Sequence, residues 1–309
     1  MIYFNGLTNH LNILINRQIT SSYKKIEIFI SFLLSSSIYM AVNGFLKAYY
    51  SFLLFGAVIN WSLLLATFLS VFAVYCMNRL TDKEEDAVNS PERAGFVNGN
   101  EKKISIVLLF SYITAIILGI SQSIYAMLIL LFPLFAGIAY NIKLSPIIPR
   151  LKDVLGVKNI ITALSWAVGT TFLPLIGLNN VSLIFICSLF YFFFVKSFIN
   201  TVLYDIRDIN GDKKNGIVTI PVKIGKENTK KLLLTATSSL LVMSFLLLLI
   251  NQISFGLFLT MAFCVFNAYW YIGYTCNNNE IHKYKMPLLI NGEWFFVLGL
   301  YYLSITIIS

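Results

Sequence analysis

The sequence predicts an all-α integral membrane protein: nine transmembrane helices, bundled as two four-helix halves plus a ninth helix, in a single polytopic domain over residues 1–309. Three observations support that class. The chain is 58% hydrophobic and only 12% charged, with a mean hydropathy of +0.77, an apolar excess that a soluble domain does not carry. Its apolar residues gather in nine runs, most of them close to the roughly 20 residues that cross a bilayer core. Its basic residues fall in alternate connections between those runs.

Residues 1–25 mix polar and apolar positions (FNGLTNHLNILINRQ) and lack the continuous apolar core of a signal peptide. They read as an interfacial amphipathic segment or a frayed tail. The runs follow at 27–45, 52–77, 104–121, 123–140, 158–177, 181–204, 231–250, 253–275 and 287–308. Basic residues cluster at Lys24 and Lys25, from Arg79 to Lys103, from Lys143 to Lys158, from Arg207 to Lys231, and at Lys283 and Lys285. The alternate connections carry only Lys47. By the positive-inside rule the N-terminus and the charged connections are cytoplasmic, and nine crossings then leave the C-terminus outside. Residues 78–103 and 205–230 are the two cytoplasmic motif loops of this scheme, and the plasma membrane of a prokaryote is the expected location. A net charge of +9 placed this way orients a membrane protein rather than recruiting nucleic acid.

Lys102-Lys103 and Lys230-Lys231 open the third and seventh runs, and an acidic motif follows the second and the sixth, which is the basis for the two halves. Pro133 falls inside the fourth run and Pro174 near the end of the fifth. Each removes an amide donor and should kink or loosen its helix, and a kinked bundle can open a central cavity. Cys76, Cys187 and Cys264 lie in apolar runs without paired spacing, and His10 and His282 are far apart. Neither a disulfide framework nor a His-ligated metal centre has material to work with, so metal chemistry must be oxygen-based.

The ionisable chemistry is concentrated in two stretches, NRLTDKEEDAVNSPER from Asn78 to Arg93 and DIRDINGD from Asp205 to Asp212. Asn78, Asp82 and Asp86 are spaced i, i+4, i+8, and Asp205, Asp208 and Asp212 are spaced i, i+3, i+7, so each set occupies one helical face. Carboxylates this crowded repel one another unless a hard divalent cation and a second anionic ligand sit among them. Mg²⁺ with a diphosphate fits, because Mg²⁺ is usually held by a few carboxylates together with phosphate oxygens and water. A hydrated acidic loop would account for Glu84 and Glu85, but not for two aligned sets at two helix ends.

The order of motifs resembles the UbiA family of intramembrane prenyltransferases: NxxxDxxxD with the tail Asn89, Pro91 and Arg93, then DxxDxxxD, then Thr219, Pro221 and Gly225 in TIPVKIG. The resemblance implies transfer of a polyprenyl group, geranylgeranyl or longer, from its diphosphate to a lipophilic acceptor inside the membrane, around a cavity capped by the motif loops. It implies two Mg²⁺ ions, one on Asn78 and Asp82 with Asp86 completing the shell directly or through water, the other on Asp208 and Asp212. Asp205, one turn deeper, is either a ligand or the group that deprotonates the acceptor. Arg93 is the first candidate for the diphosphate, since a guanidinium grips phosphate oxygens bidentately. Lys143, just after Tyr140, is the second by resemblance, and Lys213 and Lys214 follow. An allylic cation then needs aromatic faces and exclusion of water, which a chain with 26 Phe and 17 Tyr can supply.

Two departures from the family pattern bear on the acceptor. Arg93 is followed by Ala94, Gly95 and Phe96 where many members have RPxxxG, and Asn200 and Thr201 stand where many carry an Arg-Glu pair. Metal and diphosphate binding are untouched by these changes; acceptor recognition is not. A lipid ether or a quinone precursor is the acceptor class to expect. Lys196 and Glu293 fall within runs, where charges are costly, so they either pair, mark the acceptor pocket or snorkel. Two other functions remain open at this level: a cation or metal transporter, which would need acidic ligands near the bilayer midplane, and a cyclase that ionises the diphosphate without an acceptor.

Overall fold

The computed structural model describes residues 24–141, 154–214, 216–278 and 285–308. Lys143 and residues 1–23 of the amphipathic segment lie outside this set. Among the described residues every regular element is a helix: α1 (Lys24–Ser35), α2 (Ile38–Leu54), α3 (Trp61–Thr81), α4 (Lys83–Asn89), α5 (Pro91–Val97), α6 (Glu101–Gln122), α7 (Ile124–Asn141), α8 (Val157–Phe172), α9 (Leu183–Lys214), α10 (Ile220–Ile224), α11 (Lys226–Leu249), α12 (Phe255–Asn277) and α13 (Lys285–Ile308). The long ones form a closed ring. Each of α2, α3, α6, α7, α8, α9, α11, α12 and α13 packs on the next, and α13 returns to α2.

Six of these helices, α3, α6, α9, α11, α12 and α13, are long and apolar enough to cross a membrane, and α1 with α2 makes a seventh if the bent pair counts as one span. The apolar part of α7, Ile124–Ile138, is shorter, and α8 has 16 residues. Side chains such as Ile106, Phe110, Ile113 and Ile117 on α6 point outward and remain exposed, as a face toward lipid requires. Two apolar cores hold the ring together. One gathers α2, α3, α6 and α7 around Phe52, Leu63, Leu64 and Leu130; the other gathers α9, α11, α12 and α13 around Phe192, Phe193, Ile199, Met261 and Trp294.

The first two runs divide elsewhere than the sequence suggested. The first run was expected to end at Phe45, with Lys47 in the connection after it, yet α2 continues through Lys47 to Leu54. The turn comes at Phe55–Asn60, where Gly56 adopts φ 61° and the Asn60 side chain accepts a hydrogen bond from the Leu63 amide to cap α3. Lys47 is therefore inside the bundle and not on its outer face. The sharpest bend is not at a proline. α1 and α2 meet at 68° across Ser36 and Ser37, with Ser37 at φ 67°, in a run of three serines whose hydroxyls compete with the helix for backbone partners. α7 runs on through Pro133, and α8 ends two residues before Pro174. Expected as loops, the stretches 78–103 and 205–230 are largely helical, containing α4, α5, the end of α9 and α10.

α9 has 32 residues, about 48 Å at 1.5 Å per residue, against a bilayer core of about 30 Å. About the last ten residues of α9 must emerge on one side, and they carry the second acidic motif.

Candidate active site

Both acidic motifs open onto a single cavity of about 220 Å³ at one end of the ring. Asn78, Asp82, Asp86, Asn89 and Arg93 reach it from α3, α4 and α5; Asp205, Asp208 and Asp212 reach it from α9. The sequence placed Asn78, Asp82 and Asp86 on one continuous helix, but α3 stops at Thr81 and α4 restarts at Lys83, with Asp82 at the break (φ −102°, ψ 21°). The backbone still bonds Asp82 N–H to the Asn78 carbonyl and Asp86 N–H to the Asp82 carbonyl, so the three remain on the cavity side.

Contacts across the rim join the motifs. The Asn89 amide donates to Asp212 Oδ1 at 3.4 Å, and the Thr219 hydroxyl donates to Asp212 Oδ2 at 3.4 Å. Helices α4 and α9 come this close because residue 211 is glycine: a Cβ there would overlap Asn89 Oδ1. The Asp212 carboxyl is crowded by its own helix's other carboxylates. Burial, then repulsion from Asp205 and Asp208, pushes its pKa up to about 6, although it lies on the part of α9 beyond the bilayer core.

Arginines face two of the other carboxylates. Asp86 lies 3.7 Å from both Arg79 and Arg93, and Arg207 donates twice to Asp208, from Nε and from Nη2, at 2.7 Å each. Arg79 also donates to the Leu34 carbonyl at 3.2 Å, tying α3 to the end of α1. Asp205 accepts from the Asn159 amide at 2.7 Å. The deeper walls are aromatic and polar: Tyr39, Tyr75, Trp166 and Tyr204, with Lys47, Ser197, Asn200, Thr201 and Asn291.

Of the residues expected from sequence, Asn78, Asp82, Asp86, Arg93, Asp205, Asp208 and Asp212 thus share the cavity. Lys214 lines only an adjoining outer cleft, Lys213 is exposed at the end of α9 and lines neither, and Lys143 and the Tyr140 side chain lie outside the described residues. Sequence reading missed Arg79, Asn89's bridge to Asp212, Lys158, Asn159 and Arg207. A signal existed for α8: Asn159, Thr162 and Trp166 are spaced i, i+3, i+7, one polar and aromatic face that meets the cavity.

The donor set suits a hard cation, being carboxylate and amide oxygens with no thiolate or imidazole. Among the described residues no three acidic, histidine or cysteine side chains gather round one point tightly enough to enclose an ion alone. That agrees with Mg²⁺, which takes one or two carboxylates and fills its shell with water and substrate oxygens. Lys196 and Glu293 do pair, at 2.9 Å and essentially without exposure, and neither lines the cavity. A transporter's free midplane carboxylate is therefore absent among the described residues.

The profile of the UbiA prenyltransferase family matches residues 28–300. Over 199 residues the chain is 26% identical to the digeranylgeranylglyceryl phosphate synthase of Methanococcus aeolicus, covering 63% of this chain and 66% of that one. It is 31% identical over 160 residues to the enzyme of the same name from Sulfolobus acidocaldarius, covering 50% and 54%. The chain thus spans less than two thirds of either relative. In fold it is similar to a UbiA homologue from Archaeoglobus fulgidus bound to GPP and Mg²⁺, with a TM-score of 0.67 at 15% identity, covering 89% of this chain and 99% of that one.

Proposed function

The chain belongs to the UbiA prenyltransferase family, and on that premise we propose that it moves a polyprenyl group from its diphosphate to a lipophilic acceptor inside the membrane, releasing pyrophosphate. The observation that carries this is the convergence of both acidic motifs, flanked by Arg79, Arg93 and Arg207, on one cavity whose deeper walls are aromatic. Two Mg²⁺ ions would be held by Asn78, Asp82 and Asp86 on one side and Asp208 and Asp212 on the other, and when bound they would neutralise the diphosphate and ease its departure.

The chain's own residues do the rest. Arg93, bearing on Asp86 at 3.7 Å, is free enough to turn to a phosphate oxygen, and Arg207 can exchange one of its two bonds to Asp208 for the same purpose. Both arginines keep the leaving group from recombining. The C1–oxygen bond breaks with its electron pair going to the diphosphate; the allylic cation is shielded from water by Tyr75, Trp166 and Tyr204, and the acceptor's oxygen or carbon forms the new bond to C1. Asp205, held in place by Asn159, takes the acceptor's proton.

The acceptor class favoured is an isoprenoid glyceryl phosphate ether, as the names of the two relatives indicate for those enzymes, and the donor geranylgeranyl diphosphate. The nine ring helices are proposed as nine spans in two four-helix halves plus α13, with α1 lying at the interface and the cavity mouth cytoplasmic, in a prokaryotic plasma membrane. The two apolar cores support that division.

The test is pyrophosphate release by the purified chain with geranylgeranyl diphosphate, with and without Mg²⁺ and with acceptors added singly. Asp82→Asn should lower turnover about 100-fold or more while the thermal transition stays in place. Full turnover in Asp82→Asn would remove the proposed site. Release without any acceptor, giving a cyclic hydrocarbon or alcohol, would replace transfer by cyclisation or hydrolysis.

A further inference from the structure

Lys47 is not accounted for by the metal and diphosphate site. It stands on α2, 2% exposed, and lines the cavity at its inner end. The depth follows from its neighbour on α9: its ammonium is 3.5 Å from the Ser197 hydroxyl, and Ser197 lies eight residues, about 12 Å of helix, below Asp205. The same nitrogen sits 4.2 Å from the centre of the Trp166 ring and 5.5 Å from that of Trp294.

An ammonium has three donors, and here one long hydrogen bond and two indole faces stand in for its water shell. Among the described residues no carboxylate lies within ion-pairing distance of it. The acid of the bundle interior, Glu293, is held by Lys196, whose other two donors go to the Tyr271 hydroxyl and the Cys264 carbonyl. One buried pair is therefore complete, and beside it a second buried ammonium lacks a carboxylate in contact with it among the described residues. Keeping such a cation is costly unless an anion arrives with a ligand. The donor's diphosphate belongs about 12 Å away, at the carboxylates and arginines, so it is not that anion.

We propose that Lys47, with the Ser197 hydroxyl and the Trp166 face, forms an oxyanion subsite that seats the acidic group of the prenyl acceptor, a phosphate or a carboxylate, at the inner end of the cavity. The subsite rests on the prenyltransferase reading above, since it supposes a second substrate bound opposite the diphosphate. It turns the acceptor so that its acidic end points inward and its nucleophilic atom faces the prenyl carbon.

Lys47→Met and Lys47→Arg test this in the full chain with Mg²⁺ and geranylgeranyl diphosphate. Geranylgeranylglyceryl phosphate is the phosphate acceptor and 4-hydroxybenzoate the carboxylate acceptor. Whichever of the two is turned over names the source of the anion. Lys47→Met should raise the KM for that acceptor at least tenfold, with the donor KM and kcat within about threefold of wild type, and Lys47→Arg should recover most of the affinity. A second readout does not depend on turnover: without donor, the same acceptor should give a saturable change in tryptophan fluorescence from Trp166 and Trp294, lost in Lys47→Met. An unchanged acceptor KM, a loss confined to kcat, or an equal rise in donor KM would overturn the subsite. Failure of the transferase reading shows itself separately, as pyrophosphate release indifferent to both acceptors; the fluorescence titration then decides, sustaining the subsite if it depends on Lys47 and ending it if it does not.

Discussion

Breaking the Lys196–Glu293 pair should cost more than removing both of its members. Glu293 is 1% exposed; its Oε2 accepts from Lys196 at 2.9 Å and from the Asn267 amide at 3.1 Å, while Oε1 has no partner. In Lys196→Met the carboxylate keeps one donor in a dry interior. Loss of one member of a buried pair costs about 3–5 kcal/mol, and here the upper half of that range applies, limited by uptake of a proton on Glu293. Glu293→Leu is milder, about 3 kcal/mol, because Lys196 keeps the Tyr271 hydroxyl and the Cys264 carbonyl. The double variant leaves no orphaned charge and should fall within about 1–2 kcal/mol of wild type. The three variants and wild type form a cycle in thermal unfolding at one detergent and one scan rate, where 4 kcal/mol corresponds to a fall in apparent Tm on the order of 10 °C. Additive losses in the double variant would refute the reasoning, since they would mean that each side chain contributes through packing and not through the other's charge.

Gly211→Ala should act on the metal site and not on the fold. The new Cβ pushes the Asn89 amide off Asp212, so apparent Mg²⁺ affinity should drop roughly 10-fold, read from the Mg²⁺ dependence of pyrophosphate release, with the thermal transition little changed. An unaltered Mg²⁺ dependence would show that the Asn89 bridge does not position Asp212. The raised pKa of Asp212 sets the sign of a pH effect on the metal-free protein. A carboxyl that binds its proton more tightly when folded stabilises the fold at low pH and loses that contribution as the pH rises, here from about 4 through about 6. Metal-free protein should therefore lose stability over that window, and Mg²⁺ should restore it at pH 7. A stability that rises with pH in EDTA would contradict the crowding of Asp205, Asp208 and Asp212.

Where the sequence was legible, the reason is composition: α6, α9, α11, α12 and α13 are long apolar runs bounded by charge, and their limits agree with the expected ones to within a few residues at most ends. The acidic motifs were legible because their spacing survives even the break at Asp82. The first two helices were misread for a physical reason. Lys47 looks like part of a connection in one dimension, since polarity in a membrane chain signals water, but it is buried inward, against Ser197 and Trp166. Ser36 and Ser37 carry no helix-breaking signal comparable to proline, so the 68° bend was invisible. The partner of Asp205 on α8, Asn159, stands beside it only once α8 packs on α9, and no local pattern encodes that pairing.

The closure of the ring has a consequence for how the chain acquires its activity. Asn43 on α2 bonds Asn291 on α13, 248 residues away, and Asn291 in turn donates to Tyr204 in the cavity wall. Each helix can enter the bilayer and bury its neighbours locally, but the chamber has no far wall until the last helix meets the first. The wall that Asn291 and Tyr204 form is therefore complete only with α13 in place, and a chain halted before Lys285 should leave that side of the cavity open.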